Sequence, residues 1–221
     1  PSVTVTPTVE GTKVPTIETT KQPTQSQAPD ITQSPQVTQA PQTNDTNAVV
    51  LEKDDFEYSE SEGGVEITKC IYKGDAIKIK VPDKLDGKKV IGFNKTFSHD
   101  KNIIAVRIGN NITEIDRNAF GNSVNLKYLV LGKSVKSIDG GNFSGTSLKE
   151  LILNDGLEKI GEDDFTDYVG PPLNNWGMDL KIPESVTELH VAEFNLIGKS
   201  GSYAEQYANE HADAGVTFTA E

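Results

Sequence analysis

The stretch that decides the fold is Leu126-Lys127-Tyr128-Leu129-Val130-Leu131-Gly132-Lys133-Ser134-Val135-Lys136-Ser137-Ile138-Asp139-Gly140-Gly141-Asn142-Phe143. Its apolar residues fall at offsets 0, 3, 5, 9, 12 and 17. One step upstream the same offsets hold Ile103, Val106, Ile108, Ile112, Ile115 and Phe120. One step downstream they hold Leu148, Leu151, Leu153, Leu157, Ile160 and Phe165. The steps run from Ile103 to Leu126 and from Leu126 to Leu148, and are nearly equal. A fixed period of this kind is read before any single element, because it implies stacked coils. Offsets 3 to 5 alternate in and out and predict a short strand in each coil. The Val-x-x-Ile step and the final Phe predict the turn of the chain back toward the axis.

Outward from this centre the pattern continues. Leu180, Ile182, Val186, Leu189 and Phe194 form a fourth copy at offsets 3, 5, 9, 12 and 17, set back by an insertion at Asp167–Met178. Ile79, Val81, Val90 and Phe97 form a weaker copy that precedes the set, with Asp86-Gly87-Lys88-Lys89 inserted. One coil cannot bury its own apolar edge, whereas about five stacked coils can. The reading is a β-rich solenoid of parallel strands. Its open ends need caps. Glu57–Val81 predicts a β-hairpin cap with Gly63-Gly64 at the turn. At the other end Ser202 caps a helix through Tyr203, Ala204, Tyr207, Ala208 and His211, Gly215 ends it, and Val216–Phe218 adds a strand.

These residues resemble the BspA-like leucine-rich repeats of bacterial surface proteins. The Ile-Pro steps Ile182-Pro183 and Val81-Pro82, the Ile160-Gly161 step and the Ala119-Phe120 step match that unit. The resemblance covers about residues 52 to 219, including leading and closing segments. Ser123 stands where the family's repeat carries Cys, and Asn111 alone stands where other leucine-rich repeats build an Asn ladder. The resemblance implies adhesion or protein interaction at a bacterial surface or in a secreted protein.

Composition divides the chain. Seven of its 11 prolines lie at or before Pro41, set among Thr and Gln, and the first aromatic residue is Phe56. A segment with so little apolar surface cannot offset its chain entropy, so residues 1–48 read as a disordered, semi-stiff linker and 49–221 as the solenoid domain with its caps. The chain of 221 residues has a formal net charge of −12. That balance argues against nucleic acid, which needs a Lys/Arg stripe. No apolar run reaches the length of a membrane span.

Catalytic and metal motifs are weak. The single cysteine, Cys70, has no histidine near it in sequence, and His99, His190 and His211 lie in separate contexts. No known nucleophile, metalloprotease or phosphate-loop motif occurs, so the chain reads as non-enzymatic, with no cofactor and no metal. Glu162-Asp163-Asp164 with Asp167 could attract calcium, but lacks the alternating ligand pattern of a calcium loop and reads as a solvated acidic face. Recognition has two candidate surfaces. One is the outward strand positions Ala105, Arg107, Tyr128, Val130, Glu150 and Ile152, followed by Asp179 and Lys181. The other is the insertion with the only tryptophan, Trp176, since loops inserted in repeat proteins gather on one face. The expectation is a monomer that binds an extracellular protein through the strand face. The alternatives are a passive spacer or accessory module of a larger extracellular protein, and a polysaccharide binder using the 167–178 insertion with Trp176 and Tyr168.

Overall fold

A computed structural model describes residues 49–74, 77–162, 165 and 178–221, within the unit Ala40–Glu221. The Thr/Pro/Gln tract and most of the insertion, including Tyr168 and Trp176, lie outside the described residues. The described part is a parallel β-solenoid of about six turns. Its long-strand sheet has the order Val49–Val50, Ile77–Lys80, Ile103–Arg107, Tyr128–Val130, Glu150–Ile152, all parallel. The register is set by the apolar offsets: Ile79 pairs with Val106, Val106 with Leu129, and Leu129 with Leu151. A one-residue slip would turn these side chains outward, so burial fixes the alignment.

A second parallel ladder runs along the other side of each coil. Its strands are very short: Glu114–Ile115, Ser137–Ile138, Lys159–Ile160 and Glu188–Leu189. The sequence pattern predicts only a turn at these positions, because one apolar residue per strand leaves no alternation to see. The ladder is continuous across the 167–178 insertion, since Ile160 pairs with Leu189. On the long-strand side Leu180–Lys181 instead joins a three-stranded sheet with Asn195–Gly198 and Thr217–Ala220.

Between the two ladders lies one apolar core. Val106, Leu129, Ile115, Ile138, Ile160 and Leu189 are all buried in it, as are Phe120, Phe143, Phe165 and Phe194. The phenylalanines stack from coil to coil: Phe97 lies over Phe120 at 5.5 Å, Phe143 against Phe165 at 5.0 Å, and Phe165 against Phe194 at 4.8 Å. Phe93, which the repeat pattern does not pick out, meets Phe97 edge-on at 5.6 Å. Buried Asn142 links neighbouring coils by accepting from the Ala119 N–H at 2.8 Å and donating to the Asp139 carbonyl. Ser123, in the place of the family's cysteine, is buried and donates to the Phe97 carbonyl. Backbones approach closely at the bends. A side-chain carbon on Gly132 would collide with the Gly109 carbonyl oxygen, and one on Gly140 with that of Glu162.

The caps depart from expectation in detail. The hairpin is Phe56–Ser61 with Gly64–Cys70, turning at Gly63 with φ 91°. It does not extend to Val81: Ile77–Lys80 belongs to the long-strand sheet. The hairpin covers the solenoid through a parallel pairing of Gly64–Cys70 with Lys88–Phe93. At the far end the helix is Tyr203–Glu210, with Ala204, Tyr207 and Ala208 buried. Ser202 has the backbone position of an N-cap, but its hydroxyl makes no capping bond; the Glu205 carboxylate accepts from the Gly201 N–H at 2.6 Å. The Tyr207 hydroxyl donates to the Val191 carbonyl at 2.9 Å and accepts from the Val191 N–H at 3.0 Å, which ties the helix to the last coil. Asn195–Gly198 pairs in parallel with Thr217–Ala220, so the helix between them takes the place of a coil's return path.

Candidate recognition surface

Outward positions flank a buried one on four strands of the long-strand sheet, on either side of Ile79, Val106, Leu129 and Leu151, and this alternation builds the surface. Lys78, Ala105, Tyr128 and Glu150 are register partners in one row. Lys80, Arg107, Val130 and Ile152 form the row beside it. All eight are half-buried, which is the condition of a side chain standing on a sheet among neighbours. Six of these eight are the strand residues singled out from the sequence. Lys78 and Lys80 are the two it misses, because the weaker leading repeat hides its strand. Asp179 and Lys181 are not members of these rows: Asp179 accepts from the Asn195 side chain at 3.2 Å, and Lys181 pairs with Glu221 at 2.6 Å.

The centre of the surface is Tyr128 with Val130 and Ile152 beside it. Tyr128 adjoins Glu150, whose carboxyl is pushed above its ordinary range by burial. Trp176 lies outside the described residues, so the surface is built here from the strand residues alone.

The second ladder presents different chemistry. Its outward residues Glu114, Ser137, Lys159 and Glu188 share one row. Glu114 is pushed up by burial first and then by the charges of Asp139 and Asp116. Asp116 is pushed up by burial first and then by Glu66 and Asp139. Lys159 and Glu188 pair at 2.9 Å, which holds Glu188 below its ordinary range. Among the described residues no group of three or more His, Cys, Asp or Glu side chains has the arrangement to hold a metal ion. Glu162 is exposed, while Asp163, Asp164 and Asp167 lie outside the described residues.

The candidate nucleophile and bases are dispersed. Cys70 is half-buried at the end of its cap strand, and burial pushes its thiol upward, away from the thiolate that attacks. His99 is exposed with φ 60°, His190 lies 3.6 Å from Glu188, and His211 stacks on Tyr207 at 3.9 Å.

Known proteins share both the repeat and the fold. Residues 89–195 match the BspA type leucine rich repeat region, in six copies. This segment is a BspA-type leucine-rich repeat region. The sequence pattern gives five coils; the described stack also contains Val49–Val50, Asn195–Gly198 and Thr217–Ala220, none with the full apolar pattern. The fold resembles the crystal structure of a T. pallidum leucine-rich repeat protein, TpLRR, with TM-score 0.58 and 22% identity over 67% of this chain and 71% of that one. It also resembles a leucine-rich repeat protein from Bacteroides ovatus, with TM-score 0.50 and 23% identity over 66% of this chain and 39% of that one. No curated protein matches the sequence. Among the described residues no helix is long and apolar enough to cross a membrane.

Proposed function

We propose that this BspA-type repeat protein is a non-enzymatic recognition module. It acts at the bacterial surface or after secretion, as a monomer, and binds an extracellular protein through its long-strand face. Residues 1–48 serve as a spacer that holds the repeat domain away from a surface or a neighbouring domain. One observation carries the reading: Ala105, Arg107, Tyr128, Val130, Glu150 and Ile152, drawn from three successive repeats, lie in two adjacent rows on one preformed sheet. A rigid surface loses little freedom on binding. A tyrosine flanked by aliphatic side chains is the composition of an interface centre.

The test is a binding screen of the full chain against purified extracellular proteins, repeated with Tyr128→Ala, Ile152→Asp and Trp176→Ala. Loss of affinity with the first two supports the strand face. Loss with Trp176→Ala alone places recognition in the insertion, the site of the polysaccharide alternative. No binding to any protein of a broad panel favours the passive accessory role.

A further inference from the structure

One carboxylate on the long-strand face has no counter-charge. Glu150 stands half-buried on the strand Glu150–Ile152, and its register partner in the neighbouring coil is Tyr128. Strand spacing sets the two residues ~4.8 Å apart, side by side on the same face. Among the described residues, neither the Glu150 carboxylate nor the Tyr128 hydroxyl has a hydrogen-bond or ion-pair partner. Glu158, Glu184, Glu188 and Glu221 each meet a lysine of this chain; Glu150 meets none. Burial alone pushes its carboxyl upward, and neither Lys149, the residue before it, nor Lys127, the residue before Tyr128, pulls it back. A half-buried carboxylate has given up part of its hydration and here gains nothing in exchange. In the row beside these two, Val130 and Ile152 are register partners. The patch therefore offers an uncompensated anion, an aromatic ring and an aliphatic floor.

We infer that the long-strand face anchors its protein partner through an arginine, with the guanidinium held by Glu150 and Tyr128 and the stem resting on Val130 and Ile152. The inference rests on the recognition role proposed above and adds the chemistry of the partner. Arginine matches all three features of the patch. Its planar guanidinium forks onto a carboxylate and stacks on an aromatic ring, and its methylene stem lies along apolar surface. A lysine ammonium is a strongly hydrated point charge and matches the carboxylate alone. The formal charge of the chain, −12, draws a cationic partner from a distance. The cations of these rows lie on the strands Ile77–Lys80 and Ile103–Arg107, and the strand Tyr128–Val130 separates them from Glu150. The partner's positive charge is therefore placed at the Glu150 end.

The experiment uses the full chain, labelled at its valine and isoleucine methyl groups, and follows Val130 and Ile152 by NMR. The probe is an acetylated, amidated Thr-Leu-Arg-Leu-Thr peptide. The comparison peptides replace its arginine with citrulline, lysine or glutamate. The arginine peptide is expected to shift both methyl signals with an affinity of ~1 mM, and to weaken between ~0.05 and ~0.5 M salt as charges are screened. Citrulline keeps the shape without the charge and is expected to bind at least ~5-fold more weakly; E150Q gives a similar loss and Y128L a loss of ~3-fold. E114Q, on the short ladder, leaves the affinity unchanged, and circular dichroism confirms that each variant is folded. No shift at ~10 mM arginine peptide overturns the inference. So does citrulline, lysine or glutamate peptide that binds as tightly as the arginine one. A loss with E114Q equal to that with E150Q also overturns it, since overall charge would then account for the binding. A screened protein whose capture depends on Tyr128 and not on Glu150 overturns the arginine anchor and leaves the strand-face role standing. Capture that depends on neither Tyr128 nor Ile152 overturns both.

Discussion

The two parallel ladders of the solenoid bury the same chemistry and display different chemistry. Beneath the long-strand sheet lie Val106, Leu129 and Leu151; beneath the short one lie Ile115, Ile138 and Ile160, all in one core. On the outside, one ladder shows Lys78, Lys80, Arg107, Tyr128, Val130, Glu150 and Ile152, and the other shows Glu114, Ser137, Lys159 and Glu188, with Asp116 and Asp139 near Glu114. The repeat therefore constrains only the inward positions, which every coil needs for stacking. The outward positions are free to differ between faces, and this is where one face of a repeat protein can acquire a partner without loss of fold.

The strongest way to break the comparison is to attack the shared core from both sides. Phe143→Ala, between the ladders, is expected to cost ~3–5 kcal/mol, and Leu129→Ala and Ile138→Ala ~2–5 kcal/mol each, measured by thermal or urea unfolding. If Leu129→Ala destabilised and Ile138→Ala did not, the two ladders would not share one core. The bends come next. Gly132→Ala and Gly140→Ala drive a methyl into the neighbouring coil's backbone at two different bends, so each is expected to lose ~1–3 kcal/mol. A neutral result at either position would mean that the coils there stand farther apart than this collision implies.

Smaller effects sharpen the contrast between surfaces. Tyr128→Ala is expected to weaken partner binding by more than ~1 kcal/mol while unfolding stability changes little. Ser137→Ala, its counterpart on the short ladder, leaves binding unchanged in the same assay. The smallest effect is electrostatic. Glu114 and Asp116 have folded-state pKa values raised above their ordinary 4.5 and 3.8 by burial and by the carboxylates around them. A raised pKa favours the protonated form in the fold. Their contribution to stability is therefore greatest below the unfolded pKa and is lost as pH rises through the folded one. Asp139→Asn removes a charge that faces Glu114 and Asp116, with Lys159 the opposing cation beside Glu114. It is expected to lower the Glu114 midpoint in an NMR titration and to raise stability at neutral pH more than at pH ~3.5. An unmoved midpoint would remove the acidic character assigned to this face.

Legibility in the sequence followed physical demand. The offsets 0, 3, 5, 9, 12 and 17 were readable because the core accepts only apolar groups there, and the residues at them are buried or packed against the core. Leu51, Phe93 and Leu196 were not readable as core, although all three are buried. Leu51 stands alone in the sequence, and Phe93 lies in a repeat split by a hairpin. Leu196 follows its register partner Leu180 at less than a full repeat step. The hydroxyl of Ser202 was misjudged because a helix-start signal names a position, whereas the bond depends on neighbours that only the fold supplies. Of the candidate surface, six strand positions were legible by alternation, while the places of Lys78 and Lys80 beside them were not.

By itself, the sequence determined that the chain is a stack of coils, which positions face inward, and that both ends are capped. Apolar burial is the largest favourable contribution, and it acts on a pattern that can be read along one dimension. Only the tertiary structure decided which charges become neighbours. Lys80 is the register partner of Arg107 in the following coil, and Glu66 of the cap hairpin acts on Asp116 beside the short ladder. Surface charge is unconstrained by burial, so no period records it. The register of stacked strands alone brings those residues together and gives the two faces different character.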